Sequence, residues 1–375
     1  MRTWIWVAAL TGLAGGGAWA HEGHGAQSET AQEQKIMLAQ AEDDEPTAEA
    51  PGITGQAPYQ FRIKTRAVTI PRDSWQDLRK AHGGFAVDHR AGKGETYFAL
   101  PNTGLLRVNA AMDDVEVLKS APELTNGQTM HNTTIWYDGS GEAFLVFPAV
   151  DGESILTTDL NGQLVNKLSA PTADQMSVAP VKEYFGGGGK FVPTDVEHFD
   201  GLYYISTGYS PLDYVLTAKV TGTKPFATEW NGLAFGGKGD ADGQFRTGHG
   251  ITAYPDGKHL VVADRPKSRL QRFTPEGVFV DQVRLPDGTL PCDVDYVGGY
   301  TLVPCLEGAD KEKGAPIYLL KDGKIISEIN CKEDLGMVRF RHIHNAVLRQ
   351  VDGRLYIIAQ AWNPGDFVVL EQVAP

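Results

Sequence analysis

The chain repeats itself six times, and no other feature of its 375 residues restricts the fold as strongly. Each unit opens on a short strand, turns at an Asp-Gly or Gly-Gly pair, returns along a strongly apolar strand, then continues through two further strands and a polar loop. The openings are GGFAVD from Gly83, HNTTIWYDGSG from His131, PTDVEHFDG from Pro193, HGITAYPDG from His249, PCDVDYVGG from Pro291 and HNAVLRQVDG from His344. The returning strands read TYFAL, AFLVF, LYYIS, HLVVA, YTLVP and LYIIA. Successive openings lie 48, 62, 56, 42 and 53 residues apart, close to the roughly 40 to 50 residues of a four-stranded propeller blade. One such unit cannot bury its apolar face alone, so the six must pack against each other. The pattern predicts an all-β chain closed into a six-bladed β-propeller. Glycine makes up 43 of the 375 residues, above the usual ~7%, and the excess falls in the repeated turns. A closed ring of repeats also explains how a chain of this length forms one domain where length alone suggests two.

The two ends of the repeated region fit one another. After its opening strand the sixth unit supplies only LYIIAQAW and DFVVLEQV, one strand short of a blade, while residues 59–70, YQFRIKTRAVTI, form an alternating strand with no blade of their own. The N-terminal strand is expected to close the last blade and remove two exposed sheet edges. A pair of open β-sandwiches accounts for neither the count of six nor the orphan strand. The Gly-rich stretch FGGKGDADGQF before His249 resembles the loop of NHL-type repeats, which implies an NHL-like propeller.

Ahead of the repeats, residues 1–20 carry Arg2, a run of about a dozen apolar residues and the small-residue close Ala18-Trp19-Ala20. This reads as a secretory signal peptide cleaved after Ala20, too short for a membrane span, and predicts a periplasmic or secreted protein with no spanning segment. Residues 21–57 hold eight acids against one lysine and little to bury, as expected of a disordered acidic leader; the propeller is assigned to 58–375. The whole chain has 47 acidic and 34 basic residues. No basic cluster exists to neutralise phosphates, which excludes a nucleic-acid partner and binding to anionic lipid surfaces. Half of the mature charge of −14 sits in the leader, so acidity says little about the substrate. If cleavage follows Ala20, the mature chain starts His21-Glu22-Gly23-His24, where a copper-chelating terminus and a solvated tail are the two readings, the second favoured.

Aligned on their turn glycines, units 2, 4 and 6 place His131, His249 and His344 at one repeat position. The first strand of each blade lines a propeller's channel, so alternate members of a six-fold ring stand about 120° apart, and three inward imidazoles make a three-nitrogen metal site with a position left open. Histidines bonded to backbone at blade starts are the plain alternative; the shared register favours metal. The segments after the second strands overhang the same mouth and carry Tyr209 in blade 3 and Arg265 in blade 4. A phenol beside a metal can serve as a base and a guanidinium fork suits a carboxylate. A rim tyrosine and an arginine paired to Asp264 are the alternative.

These residues carry a resemblance. Pro193-Thr194-Asp195-Val196 followed by Gly208-Tyr209, then GQFRTGHGI leading into VVADRPKSRLQRF, then His344 in HIHNAV are similar to peptidyl-α-hydroxyglycine α-amidating lyase, a six-bladed zinc propeller that cleaves a C-terminal α-hydroxyglycine to a peptide amide and glyoxylate. The resemblance implies zinc on His131, His249 and His344, Tyr209 as the base on the substrate hydroxyl, and Arg265 as partner of the substrate carboxylate or transition state. It also implies a structural calcium. The sequence departs from the family in four places: no arginine matches its first-blade active-site arginine, Ser210 replaces its cysteine beside the tyrosine, His342 its methionine before the last ligand, and Asn345 the acid that helps hold calcium. His342 and Asn345 are therefore expected around the metal site, His342 as a fourth ligand or behind the ligands.

Cys292 and Cys305 flank the Gly298-Gly299 turn symmetrically and would face each other across a hairpin, where export permits a disulfide; a reduced pair is the alternative, and Cys331 is left over. Phosphate loops and a nucleophile elbow are absent. Two functions from different classes remain. One is an exported metal-dependent lyase or hydrolase acting on a small polar or C-terminal peptide substrate. The other is a non-catalytic propeller that binds a protein or peptide at its rim, or sequesters metal.

Overall fold

A short apolar strand can leave one face against its neighbour blade and the other against the next, and the observed architecture uses all six returning strands this way. The computed structural model describes residues 52–66 and 69–373; the signal segment and the leader as far as residue 51 lie outside them. Six antiparallel sheets follow each other along the chain, the blades of a six-bladed β-propeller. The returning strands Thr96–Leu100, Ala143–Ala149 and Leu260–Asp264 are buried at every residue. The turn after each opening strand follows its chemistry: Asp352 at φ 50° and Gly353 at φ 79° place two left-handed residues in succession, the backbone of a tight hairpin whose twist matches its strands.

The inner strands stitch the blades into a ring. Asp195 in blade 3 accepts from the Ile251 amide of blade 4 at 2.7 Å, Asp295 in blade 5 from Leu348 of blade 6 at 2.6 Å, and Asn345 in blade 6 from Phe85 of blade 1 at 3.0 Å. The last of these bonds joins the end of the chain to its beginning. Blades 1 and 6 also share an aromatic layer, with Phe98 and Phe367 stacked at 5.7 Å and Phe85 tilted against Phe98 at 5.1 Å.

Closure by the N-terminal strand is as the sequence predicts. Tyr59–Arg66 pairs antiparallel with Asp366–Gln372 as the fourth strand of blade 6. A fifth strand, Thr54–Gln56, pairs with it by a hairpin, within the stretch that composition assigns to the leader. Its polar atoms tie to blade 5: the Asn330 amide donates to Thr54 Oγ1 at 2.8 Å and the Gln56 amide to Ser327 Oγ at 3.0 Å. The closing strand ends at Arg66 rather than at 70, because the chain must leave the sheet to start blade 1. Ile70 is buried in that crossing, its carbonyl accepting from Trp75 Nε1 at 2.9 Å, and Pro71 has no amide with which to continue a ladder.

Phe61 is the fully buried anchor of the closing strand, in a cluster with Ile329, Leu348 and Leu370. Phe61→Ala removes a ring from a site that cannot collapse without parting blades 5 and 6. Unfolding free energy should fall by about 3–5 kcal/mol. Chemical denaturation followed by circular dichroism checks this, and a loss below about 1 kcal/mol would mean that the clasp carries little of the stability.

Candidate metal centre

Superposing the inner strands by their inter-blade bonds defines one ring of equivalent residues: Gly83, His131, Thr194, His249, Cys292 and His344. Glycine is the residue blade 1 can hold there, since a Cβ on Gly83 would lie 2.5 Å from the Ala99 carbonyl oxygen. The three histidines are 0–1% exposed, and one ligand nitrogen from each comes within 4.8 Å of the others.

The next blade's ring residue orients each of two histidines. His131 Nδ1 meets the Thr194 carbonyl at 2.5 Å and His249 Nδ1 the Cys292 carbonyl at 2.7 Å. A carbonyl accepts only, so both Nδ1 atoms carry the proton and both Nε2 lone pairs point into the channel, the tautomer a metal ligand needs. For His344 the corresponding carbonyl belongs to Gly83, which Gln360 Nε2 takes; His344 Nδ1 is buried with no hydrogen-bond partner. Burial holds His249 and His344 well below the usual imidazole value, and the neighbouring histidines and Arg265 push the same way. Neutral imidazoles are what binding a cation requires.

Tyr209 and Arg265 close one side of this cluster. Tyr209 Oη lies 3.1 Å from His249 Nε2 and 3.3 Å from His131 Nε2, and accepts from Arg265 Nη1 at 2.9 Å. Burial raises the phenol above its ordinary value while Arg265 works against that rise. The pairing of Arg265 with Asp264 does not occur: Asp264 accepts from Arg269 Nε at 2.9 Å and from the Arg246 and Thr247 amides. Arg265 is 5% exposed, and its side-chain hydrogen bonds reach a phenol, a thiol and an imidazole rather than a carboxylate. A buried guanidinium without an anion is a costly arrangement unless a ligand supplies one.

Two of the open readings are decided against: the disulfide, and His342 as a fourth ligand. Cys292 and Cys305 are free thiols, as is Cys331. The hairpin pairs Asp295 with Leu302, but Pro291 pairs with Cys305, so the register shifts by one residue on the way. A one-residue shift sends side chains to opposite faces: Cys305 packs with Val303 and Leu320, while Cys292 Sγ accepts from Arg265 Nη2 at 2.9 Å. His342 precedes the inner strand, which begins at Ile343, and turns outward. Its Nδ1 is 3.3 Å from the Asn363 carbonyl and its Nε2 3.6 Å from Glu307; it is no fourth ligand. Asn345 faces the ring below the histidines, Nδ2 donating to Asp293 at 2.5 Å and Oδ1 accepting from Phe85.

That lower ring also decides about calcium. Besides Asn345 it holds Asp195 and Asp293, whose carboxyls burial pushes up, that of Asp195 to about 8. Each carboxylate oxygen of the two already accepts a hydrogen bond, from Val196, Ile251, Val294 or Asn345. Calcium wants six to eight open oxygens. The residues present do not fit that ion.

Two residues at the centre escaped the sequence reading. His82 stands beside the ligands, its ring 4.7 Å from that of His344 and 5.4 Å from that of His131, and Trp362 lies 4.9 Å from His82. His82 is one residue out of the histidine register, which hid it. Trp362 follows the second strand of blade 6, Arg354–Ala361, just as Arg265 follows that of blade 4, Leu260–Asp264; the signal was there in the repeat.

No established protein-family profile matches the chain. Among characterised proteins it is similar to E3 ubiquitin-protein ligase TRIM71 of Bos taurus, 27% identical over 160 residues, and to that of Gallus gallus, 26% over 153 residues. Each match takes 41% of this chain and only 16% of the relative's length. Among solved structures, a gluconolactonase from Xanthomonas campestris superposes with a TM-score of 0.52 at 15% identity, covering 87% of this chain and 96% of that one. Virginiamycin B lyase from Staphylococcus aureus gives 0.43 at 10% identity, over 78% and 96%. At such identities the gluconolactonase likeness is one of fold. Among the described residues no helix is long and apolar enough to cross a membrane.

Proposed function

We propose that the protein is an exported, metal-dependent propeller enzyme that cleaves α-hydroxyglycine-like carbinolamides to an amide and glyoxylate. The observation that carries this reading is the placement of Tyr209 Oη within 3.3 Å of two of three channel-facing imidazoles and 2.9 Å from a buried arginine that lacks a carboxylate. The sequence of residues 1–20, read above as a signal peptide, supports export.

The donor set fits zinc: three neutral imidazole nitrogens of His131, His249 and His344 with a position left open. Bound there, zinc would polarise a substrate oxygen and favour its ionised form. The chain's own groups do the rest. Arg265 presents guanidinium nitrogens where a substrate carboxylate can replace its weak neutral partners. Tyr209, as the phenolate that Arg265 and a cation on the three histidines would favour, takes the proton of the carbinol hydroxyl. As that oxygen becomes the aldehyde oxygen of glyoxylate, the carbon–nitrogen bond breaks, its electron pair stays on nitrogen, and the proton held by Tyr209 passes to that nitrogen to complete the amide and restore the phenolate. Burial of Arg265 and the three histidines keeps water from competing.

The test is incubation of the zinc-loaded chain with N-benzoyl-α-hydroxyglycine, with glyoxylate measured as it forms. Stoichiometric glyoxylate and benzamide are expected. Opening of lactones with no glyoxylate would replace the lyase by a hydrolase, and turnover of neither would leave the non-catalytic propeller.

A further inference from the structure

The substrate's reacting end is confined on the blade 4 and 5 side, where Arg265 and Cys292 are buried and in contact; Tyr209 of blade 3, half-buried, meets Arg265 from the mouth. Blade 1 contributes only Gly83 to the ring, so on its side the space beside the histidines is bounded by His82 instead. His82 and Trp362 are both half-buried, and they continue a line of rings outward. The ring of His82 lies nearly parallel to that of His131, at 18°, and edge-on to His344. Trp362 follows at 4.9 Å from His82, and His342 at 5.8 Å from Trp362. Trp362 is held in this line by its own amide, which donates to the His342 carbonyl at 2.9 Å. Beyond His342 the line ends in a cavity of about 410 Å³ bordered by Glu307, Lys311, Lys332, Arg341 and His342, within the volume range of small-ligand sites.

We propose that His82 and Trp362 form a subsite for the planar group next to the substrate's reacting carbon, an aromatic acyl or peptide amide, and direct whatever follows it toward the cavity at His342. The inference rests on the reading of the reaction given above. Flat π-faces attract planar groups in offset or tilted stacks, worth about 0.5–1.5 kcal/mol beyond burial. The subsite lies on a flank of the histidines whose aromatic groups are partly exposed and lead toward a cavity, opposite the buried Arg265 and Cys292. A substrate with its carboxylate on Arg265 and its carbinol oxygen at the histidines can place its acyl group there, away from the filled side.

The experiment compares N-benzoyl- and N-acetyl-α-hydroxyglycine on the zinc-loaded full chain, with wild type, Trp362→Ala and Trp362→Phe. Wild type should show a KM about tenfold lower for the benzoyl compound, the stacking energy converted at ~1.4 kcal/mol per tenfold. Trp362→Ala should raise the benzoyl KM about tenfold, with little change in kcat, and Trp362→Phe should restore the preference. A merely structural role would move both substrates alike, and that result overturns the subsite. Calorimetric binding of hippurate and N-acetylglycine, which lack the hydroxyl, separates this inference from the reaction. If neither hydroxy compound turns over but hippurate binds about tenfold tighter and loses that margin in Trp362→Ala, the subsite stands and the lyase reading falls. Equal binding of the two, or no binding of hippurate, overturns the subsite.

Discussion

Alanine in place of any one of His131, His249 or His344 should release the metal. Purified wild-type chain is expected to carry close to one zinc, and each variant at least about 100-fold weaker affinity, because even the groups behind a ligand are worth 10- to 100-fold and these are the ligands themselves. Turnover should vanish with the ion. The fold should survive, since the ring positions are tied by backbone bonds: the His131 amide donates to the Pro148 carbonyl at 2.8 Å and His249 sits in a paired strand. Elemental analysis beside a far-ultraviolet spectrum checks both halves. Variants that hold as much zinc as wild type would show that the three imidazoles do not bind the ion. In that case their burial, neutrality and common direction would need a purely structural account, which His344 lacks, its Nδ1 being buried without a partner.

Tyr209→Phe is expected to lower kcat by about 10²–10⁴-fold, the range of a positioned proton-transfer group, with zinc retained and KM changed only a few-fold. The phenyl ring keeps its edge-to-face contacts with His131 and His249, at 5.5 and 5.6 Å, so the pocket keeps its shape. The lost atom is the one oxygen that meets two ligand nitrogens and Arg265 together. Glyoxylate release under saturating substrate, with metal content measured on the same sample, separates the roles. Loss of zinc along with activity would make Tyr209 a ligand, and full activity would move the proton to another group.

Much of this site was legible in sequence because a closed repeat turns spacing into geometry. Once the units are known to circle an axis, a repeat position is a direction, so three histidines eight or nine residues before turn glycines must point at one another. Tyr209 and Arg265 were legible for the same reason, lying in loops after second strands. His82 was not, because the clash at Gly83 moves blade 1's contribution one residue back, and register alone assigns that residue no direction. The cysteine pair misled because a local register shift between Pro291 and Asp295 leaves no mark on residue spacing. His342 misled because strand alternation does not extend past Ile343, where the strand begins.

What the sequence by itself determined is the number of blades, the closure of the last by the strand that begins at Tyr59, and the three-histidine register. These depend on periodic burial, which is written into residue order. Only the tertiary structure decided which groups hold Arg265, that Asp264 belongs to Arg269, that Cys292 meets Arg265 rather than a disulfide partner, and that His82 and Trp362 lie in line beside the histidines. Those outcomes turn on contacts between blades far apart in the chain, where differences of an ångström choose between a carboxylate, a thiol and a phenol as a partner. Periodicity places a residue on a ring; the packing of neighbouring blades settles what it touches.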